Sequence, residues 1–251
     1  MKQRAFVLLL LLVVLGSAVP LTVKAQTHSL EWGLNVDEEF TYVLQRAYFA
    51  NPEYAVVVQG DIPFISEISV GEMVTMRVTE LDAIPTLINE SSQMPLGHCN
   101  LVRANDSVSI ATDQTGFIVP IGDWDFLTEI GNLTGHQGVT LINTEDEWGT
   151  VGTGSIQAND GSIISLYVEI RYEKENGTLN YLRHRYTTLG TDLIDVVFVN
   201  WHQGMPTVIG AEVQLTTILM LIGGGAFGLI IAFFVIQWYK KKKPLVQRLG
   251  E

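Results

Sequence analysis

The chain has 251 residues, of which 15 are Lys or Arg and 27 are Asp or Glu, so its formal charge is −12. An acidic chain of this kind argues against nucleic-acid binding, because phosphate backbones are recognised by clustered cations. The single cysteine, Cys99, excludes an intrachain disulfide and is typical of a small buried apolar side chain.

The first 25 residues have the pattern of a secretory signal peptide. A basic start, MKQR, precedes an apolar run that ends at Leu15, and the sequence VKA places small side chains before a cleavage site at Gln26. An uncleaved signal anchor is the alternative. Pro20 and Lys24 argue against it, because they interrupt the apolar run before it reaches membrane-spanning length.

A second apolar segment near the C-terminus predicts one membrane-spanning helix. No charged side chain occurs from Leu215 to Tyr239, and about 20 apolar residues suffice to cross the hydrocarbon. Aromatic residues followed by lysines are typical of a stop-transfer sequence with its basic end in the cytoplasm. The expected interface anchors are Trp238, Tyr239, Lys240, Lys241, Lys242 and Lys243.

These two ends predict a single-pass protein with its bulk outside the cell membrane. The expected parts are a signal peptide (1–25), an extracytoplasmic domain (26–200), a juxtamembrane linker (201–213), a transmembrane helix (214–239) and a basic tail (240–251). Between the two apolar ends, seven Lys or Arg stand against twenty-six Asp or Glu, which leaves −19. Such a charge suits solubility, a saline medium or divalent cations.

Small side chains repeat every four residues in the predicted membrane helix, at Gly224, Gly228 and Ala232. They would line one helix face and permit close helix crossing. We expect association through this face, either with a second copy of the chain or with another membrane protein.

Four N-x-S/T sequons predict glycosylation in a host that has the machinery. Their asparagines are Asn89, Asn105, Asn132 and Asn176, each at a predicted turn or element end. The alternative is that these asparagines serve only as turn formers.

The extracytoplasmic part is expected to be mainly β, as an antiparallel meander, a curved sheet or a sandwich with one or two short helices. From Glu147 onward, period-two segments alternate with turn residues: EWGTVGTGSIQA, SIISLYVEIRYEK, TLNYLRHRYTT and LIDVVFVNW. The first half predicts less regular strands in EWGLNVDEEFTYVLQRAYF, EMVTMRVTEL, CNLVRA and SVSIAT.

Two short helical segments are predicted within this β pattern. In GDWDFLTEIGNL, Asp123 is the expected N-cap and Phe126 and Leu127 are among the expected core residues. The sequence DIPFISEI is expected to form a helical turn.

An unusual group of cations, Arg171, Arg183 and Arg185, falls in the predicted hairpin around Asn176 and Gly177. A three-residue loop, 175–177, with Gly177 in the left-handed region pairs Ile170 with Leu182. The same register places Glu169 opposite Arg183, Arg171 opposite Tyr181 and Tyr167 opposite Arg185. The group is then self-compensated sheet surface, and a patch that binds an anion is the alternative.

No sequence motif indicates an enzyme, a cofactor or a metal. The five histidines have no ligand spacing, and no nucleophile, zinc or phosphate-loop signature occurs. Acidic groups at 37–39, 123–125 and 145–147 lack a calcium-loop pattern. They are therefore expected to be solvated turns.

The sequences LEWGLNVDEEFTYVLQ and RYEKENGTLNYL, set between a signal and a lysine-flanked helix, resemble single-pass surface proteins of archaea. That resemblance implies a surface location and no activity that could be assigned to particular residues. We expect a membrane-tethered binding or interaction module whose extracytoplasmic partner the sequence does not identify. A carrier or sensor of an apolar ligand in a curved-sheet cavity is the alternative.

Overall fold

The computed structural model describes residues 27–60, 62–158 and 160–210. The strands are β1 (Glu39–Phe49), β2 (Met73–Leu81), β3 (Gly97–Arg103), β4 (Ser109–Gln114), β5 (Val139–Asn143), β6 (Glu147–Gln157), β7 (Ile163–Glu173), β8 (Leu179–Thr188) and β9 (Thr191–Asn200). The helices are α1 (Ala55–Gln59) and α2 (Trp124–Ile130). Short 3₁₀ helices cover Pro52–Tyr54, Pro63–Glu67 and Ser91–Gln93.

All nine strands belong to one open antiparallel sheet with the order β4-β3-β2-β1-β9-β8-β7-β6-β5. It consists of two meanders, β1 to β4 and β5 to β9, which join because the first strand pairs with the last. In that central pairing Val43 lies opposite Val199 and Phe49 lies opposite Ile194, with a bulge between Leu44 and Arg46. The predicted late meander and the mainly β class are therefore confirmed.

One face of the sheet carries the main hydrophobic core. Tyr42 and Phe198 are fully buried there, and their rings stack with centroids 5.2 Å apart. The Tyr42 hydroxyl donates a 2.7 Å hydrogen bond to the Leu179 carbonyl, and burial raises the pKa of that hydroxyl well above its usual value. Phe64, from the segment Pro63–Glu67, packs against Phe198. The predicted helical turn there is confirmed, and side chains of the protein itself fill this face.

A second apolar cluster forms where α2 meets β6. Asp123 caps α2 by accepting a 3.0 Å hydrogen bond from the Phe126 amide, and Phe126 and Leu127 are buried. The Trp148 indole donates a 3.1 Å hydrogen bond to the Thr128 hydroxyl. The predicted helix and its cap are thus confirmed.

The opposite face of the sheet is covered over β1 and β9. Residues 201–209, which fall in the predicted juxtamembrane linker, lie along β1. The Trp201 amide donates to the Thr41 carbonyl at 2.7 Å, and the Ile209 amide donates to the Gln45 carbonyl at 3.0 Å. Trp201, Met205 and Ile209 pack on the small apolar cluster Val43, Val197 and Val199.

One predicted strand has the wrong start, and one strand was not predicted. The first strand begins at Glu39 rather than Glu31, which makes only an isolated bridge to Ile121. Asp37 interrupts the extended chain before Glu39, because it lies in a turn with φ of 74°, a left-handed value outside the extended region. In addition, β5 was not predicted, because its five residues are too few to show a clear alternation.

The predicted register of the β7–β8 hairpin is confirmed, but its loop length is wrong. Ile170 lies opposite Leu182, and Glu169 lies opposite Arg183, as expected. The Glu173 amide donates to the Thr178 carbonyl and the Gly177 amide donates to the Glu173 carbonyl, both at 2.8 Å. Glu173 and Thr178 therefore close the hairpin, and four residues, 174–177, form its loop. A register shift near Asn180 then restores the expected pairing. As predicted, Gly177 has a positive φ, 79°.

None of the helices within 27–60, 62–158 and 160–210 has the length and apolar character needed to cross a membrane. The predicted signal peptide, the spanning helix, the Gly224–Gly228–Ala232 face and the interface anchors all lie outside those residues.

Gly177 and Gly190 provide a matched test of the hairpin. Both have φ of 79°, but a Cβ on Gly177 would lie 2.0 Å from the Val119 carbonyl oxygen, whereas a Cβ on Gly190 would meet nothing within 4 Å. Gly190→Ala should cost about 1–2 kcal/mol of stability from backbone strain alone. Gly177→Ala should cost about 1–3 kcal/mol more, because the backbone at Val119 must move. Urea unfolding of a 27–209 fragment measures both, and equal losses would contradict the contact.

His184 predicts a specific acid sensitivity. Its side chain is buried on the core face of β8, and this burial lowers its pKa from 6.5 to about 4. Below pH 6.5 the His184 imidazole is protonated in the unfolded chain, whereas in the folded chain it stays neutral down to about pH 4. Stability is therefore lost between those values, by about 3 kcal/mol. His184→Leu should lose less stability than the parent between pH 7 and pH 4 in urea unfolding; an unchanged difference would contradict this assignment.

Candidate functional site

On the face of the sheet opposite the main core, β7 and β8 bear alternating aromatic and charged side chains. We call this surface the Tyr–Arg face; its members are Tyr167, Glu169, Arg171, Tyr181, Arg183 and Arg185. Strand alternation points them to one side, away from the main core. Residues 201–209 pack over β1 and β9, adjacent to this surface.

Asp195 on β9 organises the arginines at one edge of the Tyr–Arg face. It is 3% exposed and accepts two hydrogen bonds from Arg183, at 2.9 Å from Nε and 3.0 Å from Nη2. The Nε of Arg46 on β1 lies 2.8 Å from Oδ2 of the same carboxylate, the oxygen that also accepts from Arg183 Nη2. The hydrogen bonds that Arg183 donates to Asp195 are the largest cause of the raised pKa of Arg183. One buried carboxylate thus fixes cations from two flanking strands.

On β7, the buried carboxylate of Glu169 likewise fixes neighbouring side chains of the Tyr–Arg face. It is 5% exposed, accepts a 2.6 Å hydrogen bond from the Tyr167 hydroxyl and a 2.7 Å bond from Arg171 Nε. Burial and the hydrogen bond to Glu169 raise the pKa of Tyr167 to about 12. Arg171 also reaches Glu147 on β6 at 3.2 Å, and its guanidinium lies 4.9 Å from the Tyr181 ring centroid.

Arg171 contacts Tyr181, as the register predicts. The contacts of the other two arginines differ from the predicted cross-strand pairs. Arg183, however, binds Asp195 and not Glu169, and Arg185 binds Asp192 at 2.8 Å. The prediction compared only β7 with β8, whereas β9, on the other side of β8, supplies the carboxylates. An isolated acid in the apolar run LIDVVFVN was the sequence signal for Asp195.

The ionic groups of this surface balance. Four guanidinium groups, those of Arg46, Arg171, Arg183 and Arg185, contact four carboxylates, those of Glu147, Glu169, Asp192 and Asp195. The side chains are nonetheless partly exposed, with Arg185 at 42% and Arg171 at 35%. These contacts favour self-compensated sheet surface over a binding patch for a free anion.

Two other polar groups occupy separate places. A shallow polar depression of about 320 Å³ at the start of α2 is lined by Gly122, Asp123, Trp124, Asp125, Asn143 and Lys174. The imidazole of His98 lies 2.7 Å from the Asp113 carboxylate, and the next residue in sequence, Cys99, is buried. Across the part of the chain that the structure describes, three His, Cys, Asp or Glu side chains never converge as a metal site would require.

Three of the four sequon asparagines are exposed. Asn89 precedes the short helix Ser91–Gln93, Asn105 lies in the β3–β4 turn, and Asn132 follows α2. Asn176 differs, because its side chain is bonded within the hairpin. The side-chain oxygen accepts a 2.8 Å hydrogen bond from the Thr178 backbone amide, and the side-chain nitrogen donates to the Glu173 carboxylate at 3.0 Å. The first three sites are therefore open to an enzyme, and Asn176 is held by the hairpin loop.

Comparison with protein families, with curated proteins and with solved structures finds nothing that matches this chain. Its site must therefore be interpreted from its own geometry.

Asp195→Asn tests whether a buried carboxylate holds this surface together. The change keeps the shape but removes the charge that Arg46 and Arg183 share, so we expect a loss on the order of 3 kcal/mol. Asp37→Asn is the control, because the Asp37–Arg77 pair, 2.9 Å apart, is exposed. It should cost under about 1 kcal/mol. Similar losses of unfolding free energy in the two variants would contradict the role assigned to Asp195.

Proposed function

We propose that this protein is a membrane-tethered extracytoplasmic interaction module that docks a protein partner on the Tyr–Arg face. The observation that supports this most is the set of partly exposed arginines and tyrosines held in place by the buried carboxylates of Asp195 and Glu169.

Fixed side chains of these types suit a docking surface. Tyr and Arg are enriched where proteins bind one another, because each offers a large contact area together with polar groups. A guanidinium already fixed by a carboxylate loses little freedom when a partner binds. The hydrogen bonds to Asp195 therefore stabilise both the domain and the geometry of its surface.

The charge balance indicates the class of partner. An anionic small molecule or a nucleic acid would have to compete with four resident carboxylates for the same cations. A protein surface with its own aromatic and mixed polar groups would instead bind without separating those ion pairs. A partner protein is therefore the occupant that the chemistry favours.

The tether is proposed from the sequence. The signal-like N-terminus and the apolar run 214–239 ahead of four lysines support a single span with residues 26–213 outside. The resemblance to archaeal single-pass surface proteins supports the same arrangement. The apolar-carrier alternative lacks a matching observation, because Tyr42, Phe198 and their neighbours fill the apolar face of the sheet.

Site-specific photocrosslinking in intact cells tests the proposal. Thr153 is exposed on β6 and pairs with Tyr167, so a photoreactive residue there reports on the Tyr–Arg face. We expect one discrete adduct from position 153 and none from the exposed Glu175 in the β7–β8 loop. The adduct should disappear in Arg185→Ala at an unchanged melting temperature. The same adduct at both positions, or its persistence in Arg185→Ala, would contradict docking at this face.

A further inference from the structure

The two edge strands of the sheet, β4 and β5, differ in how they are built. The pairing of β4 with β3 is interrupted by two register shifts, and Asp113 near the end of β4 has φ of 54°. Bulges and charged side chains of this kind prevent the edge of a natural sheet from pairing with another chain. The edge at β4 is therefore protected.

The strand β5 lacks these protecting features. Its sequence, VTLIN, contains no charged residue and no proline, and none of its residues has a positive φ. It pairs with β6 from Val139 to Asn143 without a register shift. The Lys174 ammonium donates to the Asn143 side-chain oxygen at 2.5 Å, which holds the end of the strand in place. The edge at β5 is thus regular, uncharged and already formed.

Hydrogen bonds at the two ends of β5 show which of its backbone groups face outward. The Thr153 amide donates to the Gly138 carbonyl at 2.7 Å, and the Thr144 amide donates to the Glu147 carbonyl at 2.9 Å. Because backbone groups alternate in direction along an antiparallel strand, even-numbered residues of β5 direct theirs toward β6. The odd-numbered residues direct theirs toward the free edge.

Two amides of β5 are available at that edge. They belong to Leu141 and Asn143, because the amide of the third odd-numbered residue, Val139, donates to the His136 carbonyl at 3.2 Å. Within the part of the chain that the structure describes, no group bonds to these two amides, since β5 is the last strand in the sheet order. An unprotected edge with available amides suits the addition of a further strand.

We propose that β5 pairs antiparallel with β5 of a second copy of this chain, across a two-fold axis perpendicular to the sheet. In the register that pairs all five residues, Leu141 lies opposite Leu141 of the second copy. Asn143 then lies opposite Val139 of the second copy. Each available amide meets a carbonyl in this register, because Leu141 bonds to Leu141 and Asn143 bonds to Val139. The Val139 amide, which would have no acceptor there, is the one already bonded within its own chain.

The side chains of β5 also fit a second copy. Leu141 is half-buried against the apolar cluster around Phe126, so two leucines at the axis join the clusters of the two copies. On the other side of the sheet, Thr140 lies opposite Ile142 of the second copy. The acidic turns, 145–147, do not meet, because the antiparallel arrangement places them at opposite ends of the paired strands.

This pairing continues the sheet from one copy into the other. Both Tyr–Arg faces lie on the same side of the joined sheet, because the two-fold axis is perpendicular to it. The inference does not rest on docking at that face, since it uses only β5 and its neighbours. A contact of five residues per copy is smaller than a standard interface, so we expect a weak and reversible dimer.

Disulfide trapping of the purified full-length chain tests the pairing. Leu141→Cys places two thiols at the axis, where the Cα atoms of a hydrogen-bonded pair lie about 5.5 Å apart, a distance that a disulfide spans. Cys99 is buried, and burial raises the pKa of its thiol to about 12, so it does not react. Mild oxidation should convert most Leu141→Cys chains to a covalent dimer. Thr112→Cys, exposed on the protected edge β4, is the control and should give only background dimer.

A proline at the edge separates strand pairing from simple proximity. Asn143→Pro removes an outward amide without removing a bond to β6, whereas Asn143→Ala loses the same contact with Lys174 but keeps the amide. In the Leu141→Cys chain, the dimer should disappear with the proline and remain with the alanine. A mixture of Thr140→Cys chains and Ile142→Cys chains should form a mixed disulfide, because these two positions lie opposite each other.

The pairing is overturned if Leu141→Cys gives no dimer, since β5 would then bind a different chain or none. It is also overturned if Thr112→Cys gives as much dimer, or if the dimer persists with Asn143→Pro at an unchanged melting temperature. Should Asn143→Pro lower the melting temperature, the mixture of Thr140→Cys and Ile142→Cys chains decides. Absence of their mixed disulfide would contradict the proposed register.

Discussion

The pairing of β1 with β9 is the interaction on which the rest of the structure depends. It joins residues about 150 positions apart in sequence and converts two separate meanders into one sheet. Loop closure over that distance carries an entropic cost that only substantial burial offsets. Tyr42 and Phe198 provide it on one face, where each fully buried large side chain contributes about 1.5–3 kcal/mol, and Val43 and Val199 provide it on the other.

The same pairing produces the polar surface. Arg46 arrives from β1 and Arg183 from β8, and both meet Asp195 only because β9 lies between those strands. A carboxylate buried without these cations would be strongly destabilising. The ion pairs therefore link the register of the central strands to the shape of the Tyr–Arg face. Fold and candidate function thus share one set of contacts.

The sequence was sufficient where the structure is local. Period-two alternation located β6 to β9, the parity of Ile170 and Leu182 identified the hairpin register, and Asp123 marked the start of α2. It was insufficient where partners come from distant segments. The pairing of β1 with β9 leaves no local signal, so Asp195 could not be assigned to Arg46. The turn at Asp37 was missed because it does not change the hydrophobic pattern, and β5 was missed because five residues are too few to show a clear alternation.

If the Tyr–Arg face docks a partner protein as proposed, that surface is covered in native membranes and uncovered in the purified chain. Oxidative side-chain footprinting compares the chain in native membranes with the chain purified in detergent, with Tyr54, half-buried against the main core, as an internal reference. Docking at this face should make the modification of Tyr167 and Tyr181 slower in native membranes, while Tyr54 is modified at the same rate in both preparations. Equal rates at Tyr167 and Tyr181 in the two preparations would contradict it.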